Sequence, residues 1–225
     1  MDGQTPKCIG VIMDGNRRWA TKRGDPSLNG HKQGYEKLKE FLGWAKERGV
    51  ENVIVYAFSR ENWKRTEAEI GYLMDLFRLA IREDLAKIAE ETSVRFLGDI
   101  SMLDAGLRKD IEKIEQKSSV HKGGTVAIAL SYGGRDEIIR AFKRTEISGA
   151  SPTEEDFSRF LDTAGMPDPD IIIRTGGEFR LSGFLPWQSV YSELFFTETL
   201  WPDLSRREFE DILAEYVRRK RNFGK

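Results

Sequence analysis

The chain has 225 residues, with 36 Lys+Arg against 37 Asp+Glu and a formal net charge of −1, which excludes a protein held on nucleic acid by bulk charge. Hydrophobic residues make up 39% and recur throughout, enough for one large domain with a sizeable core and too evenly spread for long disorder. A single cysteine, Cys8, and two histidines, His31 and His121, exclude a disulfide framework and a Cys/His zinc site.

From the N-terminus, residues 1–7 lack the charged-then-apolar pattern of a secretion signal. No stretch of the chain approaches the roughly 20 apolar residues of a membrane span. A soluble, cytoplasmic protein is expected. Cys8–Met13 reads as the first strand. Tyr35, Leu38, Leu42 and Ala45 then recur at helical spacing, and the pattern stops at Gly49, a glycine placed to end a helix. Asn52–Phe58 reads as the second strand and is apolar on both faces, as buried parallel strands are. The longest helix is predicted from Glu67 to Glu91, with Thr66 and Glu69 as a capping box and a wide stripe from Ile70 to Ile88. Val94–Leu97 gives a third strand, and Leu103, Leu107, Ile111 and Ile114 a further helix. Thr125–Ser131, Asp170–Arg174 and Glu193–Phe196 complete six strands. The final helix opens at Ser205, with Glu208 as its capping partner, and ends in Arg218-Arg219-Lys220-Arg221, a favourable place for positive charge. Strands alternating with helices, without a linker or a repeat, predict one α/β domain with a mostly parallel central sheet flanked by helices.

Several strand ends carry more chemistry than folding needs. Asp14-Gly15-Asn16-Arg17-Arg18-Trp19 follows the first strand, where open α/β sheets bind ligands. An Asp for a metal and Arg for anionic oxygens suit a diphosphate–magnesium complex, although Asp-Gly alone makes turns. Gly30-His31 is placed at a helix start, whose free amides suit an anion. Ser59-Arg60-Glu61-Asn62-Trp63-Lys64-Arg65 gathers a hydroxyl, a carboxylate, an amide and three cations after the second strand. Arg174-Thr175-Gly176-Gly177, with Arg180 and Ser182, offers an anion-binding nest of paired glycine amides and two further cations. Glu193 is by itself an ordinary surface residue. The stripe on the long helix becomes a tunnel wall for an apolar chain only if these anion sites lie at its mouth. Phosphate-binding Gly-x-x-x-x-Gly-Lys-Ser/Thr, any Gly-x-Gly, and the Gly-x-Ser-x-Gly nucleophile elbow are all absent.

In this order, Met13-Asp14-Gly15-Asn16, Gly30-His31, Tyr56-Ala57-Phe58-Ser59 with Glu61-Asn62-Trp63, Arg174-Thr175-Gly176-Gly177-Glu178 and Leu200-Trp201-Pro202 resemble the signatures of the cis-prenyltransferase family, the undecaprenyl diphosphate synthases. The resemblance spans Ile9 to Gly224. It implies Z-selective chain elongation, in which isopentenyl diphosphate condenses onto an allylic prenyl diphosphate to give a medium- to long-chain product. It implies Mg²⁺ held by Asp14 with Glu193, and catalytic roles for Asp14, Asn62 and His31. The allylic diphosphate would lie among Gly15, Asn16, Arg17, Arg18, Trp19, His31, Ser59, Glu61, Asn62, Trp63 and Arg65. The acceptor diphosphate would lie on Arg174, Arg180 and Ser182. A homodimer is implied, with a hydrophobic tunnel between sheet and long helix and peripheral membrane contact for product release. Small Ala57 at the tunnel entrance suits products longer than the shortest type, and Tyr72 argues against the longest. Ser27, Phe179 and Asn222 depart from the family's pattern, so a changed acceptor, an alcohol or a second allylic diphosphate, stands as the alternative activity. An inactive partner subunit is a further alternative, disfavoured because Asp14 and the loop after the second strand are kept.

Overall fold

The computed structural model describes residues 5–149 and 153–219. Six strands form one sheet in the order β3-β4-β2-β1-β5-β6, every neighbouring pair parallel. They are β1 (Cys8–Ile12), β2 (Asn52–Ser59), β3 (Ser93–Leu97), β4 (Thr125–Tyr132), β5 (Ile171–Arg174) and β6 (Glu193–Phe196). Each lies within two residues of its expected limits. Alternate residues point to two separate cores: Ile9, Val11, Val53, Val55, Ile171 and Ile173 face one side, and Cys8, Ile12, Ile54 and Ile172 the other. Both faces are covered, which is why the strand sequences show no polar alternation.

Four helices foreseen from the sequence are joined by others. Three of the four are α2 (Ser27–Glu47), α5 (Ala105–Ser118) and α8 (Arg206–Arg218); α1 (Asn16–Lys22), α6 (Gly134–Ser148) and α7 (Glu154–Ser158) are additional, while α4 (Ala86–Ile88) falls within the predicted long helix. The long helix is α3 (Glu67–Ala80), which continues through a π turn (Ile81–Leu85) into α4. Thr66 caps α3 as expected, accepting from the Glu69 amide at 3.3 Å. The reciprocal half of that capping box does not form: the Glu69 carboxylate reaches His31 and Arg65 instead. At α8, Ser205 likewise accepts from the Glu208 amide, while the Glu208 carboxylate goes to Thr197. Local capping loses to tertiary partners of greater charge in the first case.

Strand order sets the site. From β1 the chain turns toward β2 on one side, whereas β5 lies against β1 on the other. This is the topological switch point of the sheet, where the carboxyl ends of β1 and β5 open a crevice. Asp14 and Arg174 meet across it.

Candidate active site

Asp14 leaves the end of β1 on a loop fixed by three bonds. Its carbonyl accepts from the Trp201 amide at 3.0 Å and from the Thr175 hydroxyl at 2.7 Å, and its own amide bonds the Ile12 carbonyl. Gly15 follows in the left-handed region at φ 109°, where a Cβ would also lie 2.8 Å from Leu200. It caps α1, so this segment is a helix start and not the simple turn its Asp-Gly suggested. α1 packs closely on α2: a Cβ at Gly30 would meet the Asn16 carbonyl at 2.0 Å, and one at Gly34 the Asn16 Oδ1 at 2.2 Å. Gly30 thus serves helix contact rather than anion binding. α2 begins at Ser27, three residues before it, and its free amides lie at that earlier turn.

The Asp14 carboxylate is gripped from two sides. Arg174 Nη2 donates to Oδ2 at 2.8 Å and Arg18 Nη2 to Oδ1 at 3.1 Å. Arg174 is almost wholly buried and also donates to the Ser182 hydroxyl at 2.8 Å and to the Arg180 carbonyl. Ser182 sits at φ 50°, an uncommon conformation of the kind that gathers at functional sites. Arg18 also bonds the Gly176 carbonyl at 2.7 Å, and Arg180 pairs with Glu178. The glycine nest does not form. The amides of Gly176 and Gly177 already donate to Thr199 and Thr197 at 2.8 Å each, leaving the guanidinium groups as the anion contacts here.

Beside this cluster lies an open pocket of about 420 Å³ lined by Met13, Asp14, Gly15, Asn16, Arg17, Arg18, Thr21, His31 and Arg65. A second recess lined by Tyr56, Ser59, Asn62, Arg65, Arg174 and Ser182 adjoins it and shares Asp14, Asn16 and His31. Glu69 lies beneath, buried. It accepts from Arg65 at 2.9 Å, bonds His31 Nε2 at 3.1 Å and approaches Arg17 to 4.0 Å. An ionised carboxylate there makes Nε2 the protonated nitrogen of a neutral His31. Burial holds the His31 pKa below its usual 6.5, partly opposed by the hydrogen bond to Glu69. Nothing in the Thr66–Glu69 spacing distinguished this carboxylate from an ordinary cap.

The pocket opens into an apolar tunnel between the sheet, α2 and α3. Asn16 and His31 stand at the junction, and Ala57, Leu38, Leu73, Phe77, Ile81 and Ile128 line it. The enclosed volume is about 100 Å³. Ala57 lines both the tunnel and the adjoining recess. Tyr72 is not among the lining residues; the tyrosine that lines the tunnel is Tyr35.

Several expected contacts lie elsewhere. Trp19 donates to Asp203 at 2.6 Å beneath the Arg23 guanidinium, away from the pocket. Trp63 packs against Phe58 and donates to Ser131 at 3.0 Å, so it braces the loop after β2 from behind. Glu61 is exposed and does not line the pocket. The Asn62 Oδ1 accepts from the Ser59 amide at 3.0 Å. Arg60 is held by Asp99 and Asp136.

Glu193 is the clearest departure. It opens β6 opposite Ile171, whereas Arg174 is opposite Phe196, so Glu193 stands three strand residues, roughly 10 Å, below the level of Arg174 and two strands from β1. There it pairs with Arg219 at 2.7 Å. Asp14 and Glu193 therefore do not come together within one chain. As the first residue of a parallel strand, Glu193 lies at the amino end of the sheet, away from the crevice. Phe179 is 77% exposed at the rim, and Asn222 and Arg221 lie outside the described residues.

Guanidinium groups gathered at the mouth of an apolar tunnel make a site suited to a molecule with an anionic head and a hydrocarbon tail. The sequence profile of the family described as "Putative undecaprenyl diphosphate synthase" matches residues 12–224. The chain belongs to this prenyltransferase family. It is similar to the isoprenyl transferase of Wolinella succinogenes, 44% identical over 97% of this chain and 96% of that one, and to that of Aquifex aeolicus, 42% identical over 100% and 98%. Among solved structures it resembles a probable undecaprenyl diphosphate synthase from Campylobacter jejuni, with TM-score 0.83 and 36% identity over 99% of this chain and 100% of that one. It also resembles lavandulyl diphosphate synthase from Lavandula x intermedia in complex with dimethylallyl diphosphate, with TM-score 0.92 and 32% identity over 98% and 99%.

Proposed function

We propose that the protein elongates an allylic prenyl diphosphate with isopentenyl diphosphate, forming a Z double bond at each addition. The observation that carries this reading is the continuity of the cationic pocket with the apolar tunnel through Asn16 and His31. The allylic diphosphate lies against Arg17, Arg18, Arg65 and the start of α1, with its tail in the tunnel. The acceptor diphosphate lies on Arg174, Arg180 and Ser182. In each addition the acceptor alkene bonds to allylic C1 while the C1–O bond breaks, and a proton is then lost from the acceptor. Negative charge grows on the departing diphosphate, where the pocket's guanidinium groups stabilise it. Neutral His31 at the junction and the diphosphate itself are the candidate proton acceptors; Asn62, already holding the Ser59 amide, orients the loop.

Asp14 suits Mg²⁺. Among the described residues no cluster of three acidic, histidine or cysteine side chains forms a cage, and Mg²⁺ characteristically takes one or two carboxylates with the remainder from phosphates and water. When bound, the ion would neutralise charge on the leaving diphosphate. Asp14 would exchange pairing with Arg18 and Arg174 for the ion, freeing both guanidinium groups for substrate. Glu193 has no part in this site within one chain.

A homodimer is supported by apolar side chains left exposed along α6 (Ile139, Phe142, Ile147) and at Val190 and Tyr191. We further place the protein in the cytoplasm, with peripheral membrane contact for product release. No helix among the described residues is long and apolar enough to cross a membrane.

The likeness to lavandulyl diphosphate synthase favours one second reading, branched condensation of two allylic diphosphates. Mass spectrometry of products from Mg²⁺, an allylic primer and isopentenyl diphosphate separates the two. A ladder rising by five-carbon units is the expected result. Consumption of primer only when a second allylic diphosphate serves as acceptor would favour the branched reaction.

A further inference from the structure

The turn that carries Ser182 holds positive φ at Ser182 (50°), Gly183 (79°) and Leu185 (48°). Residues with side chains rarely adopt that conformation, and it persists only where the surroundings fix it. The Ser182 hydroxyl accepts from buried Arg174 at 2.8 Å, so whatever fixes the turn also sets the acceptor contacts. On one side the Gly134 amide donates to the Gly183 carbonyl at 2.9 Å, and within the turn the Phe184 amide donates to Leu181 at 2.9 Å. From the opposite half of the crevice the turn is reached by Tyr56.

Tyr56 lies near the carboxyl end of β2 and lines the recess with Asp14, Ser59, Arg174 and Ser182. Immediately after it the β2–β4 ladder slips: Tyr56 is opposite Ala129, and Phe58 is opposite Leu130. Such a bulge re-aims side chains beside active sites. The Tyr56 ring stacks on Phe184, with centroids 4.8 Å apart and planes inclined by 17°, and Tyr132 meets both rings edge-on. Phe184 is wholly buried in space left open by Gly10 of β1, where a Cβ would lie 3.1 Å from the ring. The Tyr56 hydroxyl is shared between two carbonyls, that of Ser182 at 3.3 Å and that of Tyr132 at 3.4 Å. Burial first, then the charge of Glu61, hold this phenol above its usual pKa, partly opposed by a hydrogen bond with Ser59, so it remains a donor at neutral pH.

We propose that Tyr56 is a positioning residue for the acceptor: its ring and hydroxyl lock the Ser182 turn, and with it the Arg174–Ser182 pair, against the allylic half of the site. The proposal rests on the elongation reading above. Phenylalanine would fill the same stack, so the hydroxyl has a use that packing alone does not explain. A turn held in advance in the conformation that presents Ser182 need not be ordered by the acceptor when it binds, and affinity gains accordingly.

The test is steady-state kinetics of the full-length protein with one allylic primer and isopentenyl diphosphate. Tyr56→Phe keeps the stack and is expected to raise the KM for isopentenyl diphosphate about fivefold, the worth of one hydrogen bond. The KM for the primer and kcat should stay near their wild-type values. Phe184→Leu, which keeps the position apolar but loses the stacked ring, should move the same KM in the same direction. Ser182→Ala should raise it as well, and adding Tyr56→Phe to Ser182→Ala should raise it no further, because both act through one turn. An unchanged KM for isopentenyl diphosphate in Tyr56→Phe, or an equal rise for both substrates, would overturn the proposal. Effects that multiply in the double variant would overturn action through the turn and place the hydroxyl on the substrate itself. A wild-type protein that forms no product from isopentenyl diphosphate would instead overturn the elongation reading, and this inference with it.

Discussion

Glu69 offers the sharpest check on how the pocket is built. Replacing it with Ala removes hydrogen bonds from Arg65 at 2.9 Å and His31 at 3.1 Å, each of the charge-assisted kind or near it and worth ~1.5–3 kcal/mol when a charged group takes part. Arg65, whose side chain is 25% exposed, recovers part of that loss through water. The expected net destabilisation is about 3 kcal/mol, within the range for breaking a buried pair. Glu69→Gln, which keeps the acceptor and drops the charge, should cost about 1 kcal/mol. Urea unfolding measures both. The same variants report on His31. Its pKa is lowered by burial and by the charges of Arg65 and Arg17, and raised by Glu69, so removing Glu69 should move its titration, followed by NMR, further down. A midpoint that stays or rises, or a loss below ~0.5 kcal/mol, typical of surface substitutions, would refute the picture of a carboxylate that orders the cationic pocket from beneath.

Because folded His31 titrates below its unfolded value of 6.5, the unfolded chain binds the extra proton first. The contribution of this site to stability should be complete above that value and fall as pH drops from 6.5 toward the folded pKa; denaturation curves from pH 7.5 to 5 test this, and His31→Gln should flatten that part of the slope. Asp14→Ala should lower turnover in Mg²⁺ on the order of 10²-fold, comparable to removing one fixed stabiliser of developing charge; unchanged turnover would mean that Asp14 holds no metal. Gly34→Ala, which sets a Cβ 2.2 Å from Asn16 Oδ1, should displace α1 and raise the KM for the allylic diphosphate more than that for isopentenyl diphosphate. Equal changes in both would place α1 outside the allylic site.

The strands were legible because burial on both faces writes itself as unbroken apolar runs, as at Val53–Phe58 and Ile171–Ile173. Site positions at strand ends followed from sheet direction, and Asp14, Arg174, Ser182, Ser59 and Asn62 converge as the segment order implied. What the sequence concealed were choices between two satisfied partners. Glu69 can cap its own helix or serve His31 and Arg65, and only three-dimensional proximity decides. Paired glycines such as Gly176 and Gly177 could form a nest, yet both take positive φ and the carbonyls of Thr199 and Thr197 occupy their amides. Trp19 and Trp63 belong to motif segments but brace them from outside. Glu193 was legible as well: it opens its strand, and in a parallel sheet the first residue of a strand lies at the amino end, away from the crevice, so strand direction already opposed the metal role that the resemblance implied. α1 stayed hidden because seven residues give too little periodicity to detect.

The central claim is that the diphosphate head sits among Arg17, Arg18, Arg65 and Asp14 with its tail entering between α2 and α3. A crystal structure with Mg²⁺ and a non-cleavable allylic thiolodiphosphate tests it most directly. The account predicts density for the ion beside Asp14, guanidinium contacts to both phosphates, and a hydrocarbon tail running past His31 and Leu73 toward Tyr35. A tail lying outside that tunnel, or a diphosphate held without Asp14 and Arg18, would contradict it.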